Sequence, residues 1–520
     1  MVRTHFLRTM SNIFYDPILL AASFAALAVS FVGFQQIKWR QRTRGYPLPP
    51  NGLSTLPFIG NLHHLSPKSP WLKLTEFKNH FGSDLLYFHG LGNSVVVLNT
   101  MEAITDLFDK RGNTYSHRPV FTVVGELMAL GQSMPLLPYG TEWRAHRKLA
   151  HVALNQNAVK VYHSAQEDLA VLLSKALVDK PENFFSHVRL AAQRIVMTVT
   201  YGLPVETADN EYITKAEETM EMIGKATVPG AYLADILPFL KHLPSWIPFQ
   251  REAAEGKEMI DSFVTKPYEH VKREMNTNNA KPSLTRHLLS IDQEEMENYE
   301  HRVKWTTGAM YGAGGETTYS TVLIFMMLMA MHPDIQTRIQ AEVDAVVGCD
   351  RLPVISDRSD MPYVAAVIKE VMRWHPVLPM SIARQTAKDD VYNGYFIPAG
   401  TTVIPNVWAV SLEPCAKYDP KSFNPDRFLD PEAKVTDPTT YAFGFGRRIC
   451  PGKFLAENSL FVLISNIAYA FNISPPVNGI VEPKFGENLV SYPEPFDIQI
   501  KPRSKQKVDL INARVQQCVV

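Results

Sequence analysis

Cysteine is scarce: the 520 residues hold four, at positions 349, 415, 450 and 518. None stands close to another and none belongs to a paired, metal-type repeat, which argues against a disulfide framework or a zinc site. A chain without disulfides is expected to keep its body in a reducing compartment. Net charge is lacking too, since Lys plus Arg and Asp plus Glu are equal at 52 each. No global basic field is available for nucleic acid, so no such partner is expected. Internal repeats, low-complexity segments and glycine-rich dinucleotide-binding units are absent. His146, His301, His332 and His375 show no paired ligand spacing, so they are read as ordinary side chains.

What the chain does have is apolar residues, 46% of the total, enough for a large core. The stretch Pro17 to Ile37 carries no charge and is dominated by Ile, Leu, Ala, Phe and Val. As a helix it would cover about 30 Å, the thickness of a bilayer's hydrocarbon core. Lys38, Arg40, Arg42 and Arg44 follow it, outnumbering Arg3 and Arg8 before it, which predicts a cytosolic C-terminal side. A cleaved signal peptide fits less well, because the run is long and no small-residue cleavage site follows. Residues 1–44 are therefore expected to be a single-pass membrane anchor with its basic flank. The cluster Tyr46-Pro-Leu-Pro-Pro-Asn-Gly52 then predicts an extended, semi-rigid spacer.

Beyond the spacer, Leu85–His89 and Ser94–Leu98 read as strands split by a Gly-Leu-Gly-Asn turn. From Thr141 the pattern is long amphipathic helices, among them Ala192 to Tyr201, His301 to Met331 and Ile335 to Val347. Asp357 to Trp374 is expected to be helical only after Pro362, and Tyr392 to Val403 to form a hairpin turning at Asn393-Gly394. Arg503 to Val520 is polar and expected to fray. Nothing marks a second globular domain, so a mainly α fold with small β-sheets (α+β) is predicted over residues 45–502.

One short segment is more telling than the rest. Phe443 to Gly452 (FGFGRRICPG) sets Cys450 in a glycine-rich, arginine-bearing turn ahead of a helical stretch. A thiolate is one of the few axial ligands used for haem iron. Gly446 and Gly452 lack a Cβ and let backbone lie close to a flat macrocycle. Arg448 offers a planar fork of donors to a carboxylate. Five residue types at these offsets should arise by chance about once in ten thousand chains of this length. Ala313-Gly-Gly-Glu-Thr-Thr318 lies inside the longest helical pattern, where adjacent glycines cost about 1 kcal/mol each and need a reason: close approach of a flat cofactor, a kink or helix packing. Glu316 and Thr317 put an acid beside an alcohol, suited to relaying protons. Glu370-Val-Met-Arg373 sets opposite charges on one helical face among apolar neighbours.

The Phe-x-x-Gly-x-Arg-x-Cys-x-Gly spacing resembles the cysteine loop of the cytochrome P450 family, and five motifs between Tyr46 and about Arg503 follow the family's order. The resemblance implies that Cys450 is the axial ligand of haem b, with Phe443, Gly446 and Gly452 shaping its loop. It implies that Arg147, Arg384 and Arg448 pair with the propionates and that Trp143 fills the accompanying indole position. Glu316 and Thr317 would deliver protons, while Glu370, Arg373 and Arg427 would form a structural triad.

The activity implied is a monooxygenase in which one atom of O2 enters a substrate C–H bond and the other leaves as water. NADPH would act only through a separate cytochrome P450 reductase, with cytochrome b5 as a further donor, at the endoplasmic reticulum membrane with the catalytic domain in the cytosol. Arg144 and Lys148 would face the reductase. The stretch Glu316 to Arg384 is most similar to fungal members, especially basidiomycete enzymes resembling O-methylsterigmatocystin oxidoreductase, which points to secondary metabolism or xenobiotic oxidation. Family layout puts the pocket at Phe121–Leu130, Met310–Ala313, Val377–Ile382 and Leu489–Ser491, whose apolar character suits a terpenoid, steroid or polycyclic aromatic. Pro229 to Pro248 would dip into membrane lipid. Two alternatives stay open: a haem-thiolate isomerase or dehydratase needing no O2, and a haem sensor or carrier without turnover.

Overall fold

The structure is a computed structural model that describes residues 17–51, 53–65, 68–228, 230–291 and 298–519. The described residues fall into two compact units, one within 17–50 and 388–399, the other within 51–387 and 400–519.

In the first unit, helix α1 spans Pro17–Thr43. Arg42 at its end forks onto Asp389, with Nε and Nη2 at 2.8 and 2.6 Å from the two carboxylate oxygens. Strands β4 (Asp390–Tyr392) and β5 (Tyr395–Ile397) form a hairpin whose turn residues Asn393 and Gly394 both take positive φ, the geometry that matches strand twist. Among the described residues no helix is long and apolar enough to cross a membrane. Residues 1–16 lie outside the described residues, as do many side chains between 17 and 35, so the expected anchor falls largely outside them.

The second unit is mainly helical. Its long helices are α2 (Pro70–Phe81), α3 (Thr141–Leu154), α4 (His163–Asp179), α5 (Phe184–Tyr201), α6 (Glu211–Ala226), α7 (Pro248–Asn276), α8 (Tyr299–Met331), α9 (Pro333–Val347), α10 (Pro362–Trp374), α11 (Lys453–Ala470) and α12 (Lys505–Val515). Proline sets several boundaries: α8 stops at His332 before Pro333, and Pro333 and Pro362 open the next helices, where a missing N–H costs nothing. A four-stranded sheet runs in the order β1 (Leu85–Gly90), β2 (Asn93–Leu98), β6 (Thr402–Pro405), β3 (Arg384–Gln385). The expected Tyr392–Val403 hairpin is therefore shorter than read, because Thr402 and Val403 pair in parallel with Val95 and Val96 instead.

The main core gathers the second half of α8 with α10 and α11, where Phe325, Val367 and Phe461 are fully buried. The glycine pair of α8 packs helices: a Cβ at Gly314 would stand 2.7 Å from Val196 Cγ2, and one at Gly315 would stand 2.6 Å from the Gln193 amide, both on α5.

The C-terminal residues do not fray. Ser504 caps α12, Ile511 is fully buried, and Arg514 Nη2 reaches Asp168 of α4 at 2.5 Å. Arg503 and Lys507 meet Asp344 of α9 at 2.6 and 2.7 Å. The polar sequence concealed a helix because its one buried apolar residue needs only a single notch, and its charges find partners on other elements.

Candidate active site

The loop ahead of α11 is tied to itself and to its neighbours. The Cys450 N–H donates to Phe443 O at 2.7 Å, closing the loop across its base. Gly446 holds φ +48°, and Gly452 precedes α11. Cys450 lies deep in the protein yet keeps bare surface, so open space adjoins it. Desolvation pushes its thiol pKa up; the Gly452 N–H, Arg147 and Lys453 oppose that. A thiolate here would thus face one N–H donor, two cations and the positive end of a helix.

Helix α8 carries a second exposed patch. Although the helix is mostly buried, Ala313 is exposed and Thr317 half-buried, so that face looks onto a void. Thr317 Oγ1 donates to Ala313 O one turn back, at 3.1 Å. The neighbouring Glu316 carboxylate is nearly enclosed, accepting from Gln193 Nε2 at 3.1 Å and from Tyr492. Burial raises its pKa, and the Tyr492 hydrogen bond offsets part of the rise.

The arginines assemble into a cluster. Arg448 donates to the carbonyls of Ser116, Met134 and Leu137 and lies 4.8 Å over the Trp143 ring. Arg384 donates to Phe445 O at 2.6 Å while its buried Nη1 has no partner. Arg147 Nη1 donates to Ile449 O at 2.6 Å. To these the structure adds Arg118, which the sequence reading missed; it is buried and bonded to the carbonyls of Pro135, Ile382 and Ala383. Desolvation followed by mutual repulsion drives Arg118 well below its ordinary pKa and brings Arg384 to about 9. Arg448 falls to about 10 through desolvation and repulsion from Arg147. The only local cue for Arg118 was an Arg-Pro pair in Tyr115-Ser-His-Arg-Pro119, too short to signal burial.

Glu370, Arg373 and Arg427 are also brought together, away from the void. Arg373 forks onto Glu370 at 2.6 and 2.8 Å, and Arg427 Nε reaches Glu370 Oε1 at 3.0 Å. The rest of both guanidiniums caps carbonyls of Ser411, Asp419, Pro420 and Ser422. His146 pairs with Glu142 at 3.3 Å.

Between α8, α6, α7 and the segments 378–383 and 487–490 lies a cavity of about 210 Å³, almost wholly apolar. Of the residues the family layout suggested, Phe121, Leu130, Gly312, Ala313, Leu378 to Ile382, Leu489 and Val490 line it, whereas residues 122–129, Met310, Tyr311, Val377 and Ser491 do not. Met220, Ile223, Phe263 and Val264 complete the wall. They escaped the sequence reading because amphipathic spacing on α6 and α7 does not tell a cavity face from a core face.

A sequence model of the cytochrome P450 family matches residues 49–500. The chain belongs to the cytochrome P450 family. Cytochrome P450 monooxygenase COX1 of Coprinopsis cinerea is 36% identical over 513 residues, covering 95% of this chain and 98% of that protein. Cytochrome P450 monooxygenase 58 of Postia placenta is 38% identical over 473 residues, covering 87% and 89%. Tryptamine 4-monooxygenase of Psilocybe cyanescens is 33% identical over 504 residues, covering 94% and 98%. The fold also matches a zebrafish cytochrome P450 solved with abiraterone, at a TM-score of 0.67 and 24% identity over 84% of this chain and 100% of that one. The protein is thus a cytochrome P450 monooxygenase, and the family implies a haem-thiolate centre.

The residues present fit that group. A buried arginine cluster bonded to main-chain carbonyls, with one guanidinium nitrogen unpartnered, calls for anionic carboxylates from outside the chain. The exposed Cys450 would supply the thiolate, and the exposed Ala313 leaves room beside α8.

Proposed function

We propose that this monooxygenase oxidises a bulky apolar small molecule of the terpenoid, steroid or polycyclic aromatic kind, in fungal secondary metabolism or xenobiotic oxidation. The observation that carries this reading is the cavity wall, whose surface is almost wholly apolar and includes Phe121, Leu136, Met220, Phe263, Val264 and Leu489, with Glu316 and Glu487 its acidic members.

In this reading Cys450 would hold the haem iron through its thiolate, Phe443, Gly446 and Gly452 would shape its loop, and Arg118, Arg147, Arg384 and Arg448 would hold the propionates beside Trp143. When bound, haem would supply the activation of O2, one atom of which goes to the substrate while the other leaves as water with two electrons and two protons. The Thr317 hydroxyl, which donates to Ala313 O one turn back, would turn to pass a proton into the cavity, and Glu316, biased by burial toward its protonated form, would resupply it. The apolar walls exclude water and orient the substrate. Glu370, Arg373 and Arg427 keep the loop system seated without touching substrate.

Electrons come from NADPH through a separate reductase, with cytochrome b5 as a second donor. The chain sits on the endoplasmic reticulum membrane through Pro17–Ile37, with its body in the cytosol. The uncharged run and its basic flank support the anchor. Exposed Leu233, Phe239 and Trp246 support a second lipid contact between α6 and α7; Pro229, at the start of that segment, lies outside the described residues. The test is product mass in yeast microsomes carrying this protein and a fungal reductase, offered all three substrate classes under labelled O2. A product gaining one labelled oxygen only with NADPH is expected. Haem-loaded protein that turns over none of the three classes would overturn the substrate reading.

A further inference from the structure

The cavity wall built by Glu487 to Val490 does not belong to a helix or strand. It is a short bulge closed at its ends: Ser491 Oγ donates to Gly486 O at 3.0 Å, and the Gly486 N–H donates to Tyr492 O at 2.8 Å. Irregular backbone of this kind holds one shape only if something rigid grips it. Ser491, fully buried, supplies the grip: its N–H donates to Val377 O at 2.9 Å, and its carbonyl accepts from Ser320 Oγ at 3.0 Å.

The third anchor is His375, where α10 ends. Its Nε2 lies 2.9 Å from Ser491 Oγ, and its ring stacks on Phe485 at 3.5 Å and 12°. Trp408 closes the imidazole from the edge at 5.4 Å. Serine has a single hydroxyl hydrogen, and it is committed to Gly486 O. The imidazole is therefore the donor, with its proton on Nε2 and Nδ1 bare. Burial keeps the ring neutral, its pKa lowered to about 3. Two residues back, Arg373 is locked to Glu370 in the core. One side chain on a rigid helix end thus holds the bulge at Ser491 by a hydrogen bond and at Phe485 by stacking.

We propose that His375 is a positioning residue for the substrate cavity, its Nε2–H and ring face fixing the Gly486–Ser491 wall and so the orientation in which a substrate presents its carbon. A satisfied buried polar pair in an apolar wall specifies geometry, which an aliphatic contact of equal volume would leave loose. The inference rests on the cavity being the substrate site, and its amide-exchange readout is independent of that reading.

The experiment compares full-length holoenzyme with its His375→Phe, His375→Gln and Ser491→Ala variants. Phe keeps the stack and removes the donor, whereas Gln carries an amide N–H at a similar reach. Amide exchange is followed for peptides covering 485–492 and α10, with imidazole and 4-phenylimidazole as small and large spectral binding probes. Exchange over 485–492 is expected to rise about tenfold in the Phe and Ala variants with α10 unchanged. The 4-phenylimidazole Kd should move about fivefold while that of imidazole stays within about twofold, and Gln should restore both. Unchanged exchange in Ser491→Ala, or a rise shared equally by α10, would overturn the proposal. If His375→Phe yields no holoenzyme, the Gln and Ala variants decide it by the same criteria.

Discussion

A Cβ at Gly446 would stand 2.3 Å from the carbonyl oxygen of Phe108 and 2.7 Å from Asp109 Oδ1. The same residue holds φ +48°, a left-handed conformation that side chains disfavour. Two independent reasons thus require glycine here, and the first is packing of the cysteine loop onto the Phe108 backbone. The thiol is placed by that contact together with the Phe443 to Cys450 bond.

Gly446→Ala should destabilise the fold by about 1–3 kcal/mol from backbone strain alone, with the clash adding to it. Thermal unfolding and the haem content of purified protein would register this. A wild-type Tm with full haem loading would show that the loop yields more easily than its contacts indicate.

Glu370→Leu would strand two buried guanidiniums, at a cost of about 3–5 kcal/mol. Replacing Arg373 and Arg427 by Met as well should not recover stability, because the carbonyls of Ser411, Asp419, Pro420 and Ser422 then lose their donors. Urea midpoints of the single and triple variants measure both effects; recovery in the triple variant would mean those carbonyls find other partners.

Arg384→Met should act with opposite signs on the two forms of the protein. In apoprotein it removes a buried charge that has one hydrogen bond and an unpartnered Nη1, so stability should hold or rise. In holoprotein it should weaken haem retention by about tenfold, the worth of one charge-assisted hydrogen bond. Haem transfer to an acceptor protein and apoprotein melting would separate the two.

Glu316 gives a pH signature. Its folded pKa lies above the ordinary carboxyl value, so the native state binds the proton more tightly than the unfolded chain. Its stabilising contribution is then complete below the unfolded pKa and is lost as pH rises through the folded one. Relative to wild type, Glu316→Gln should gain Tm as pH rises from acid toward neutral. Product formed per NADPH should fall in Glu316→Gln and in Thr317→Ala, the latter by about 10- to 100-fold if it holds the delivered proton. A flat Tm difference across that range would mean the carboxyl is not held protonated.

Local features were legible in the sequence. Residues 443–452 carry the thiol, its glycines and Arg448 within ten positions, and a short loop has few ways to arrange them. The spacing of Glu370 and Arg373 already put both on one face of α10, and prolines 333 and 362 marked helix starts whatever their surroundings. Arg427 came only through family resemblance, since no local pattern links it to Glu370 57 residues away. The Gly314-Gly315 pair left close cofactor approach, kinking and helix packing open. Val196 and Gln193 favour packing, and which residues faced them was invisible without the neighbouring helix.

The chemistry open to the chain is written in its residues: a thiol in a glycine turn, an acid beside an alcohol, and enough apolar residues to enclose them. Those follow from residue type and short spacing, which local backbone geometry fixes. Long-range packing is what brings Arg118 to Arg384 and Arg448, Gln193 and Tyr492 to Glu316, and His375 to Ser491. These pairings join elements far apart in the chain, and they arise where packing removes water and leaves each buried polar group to find a partner.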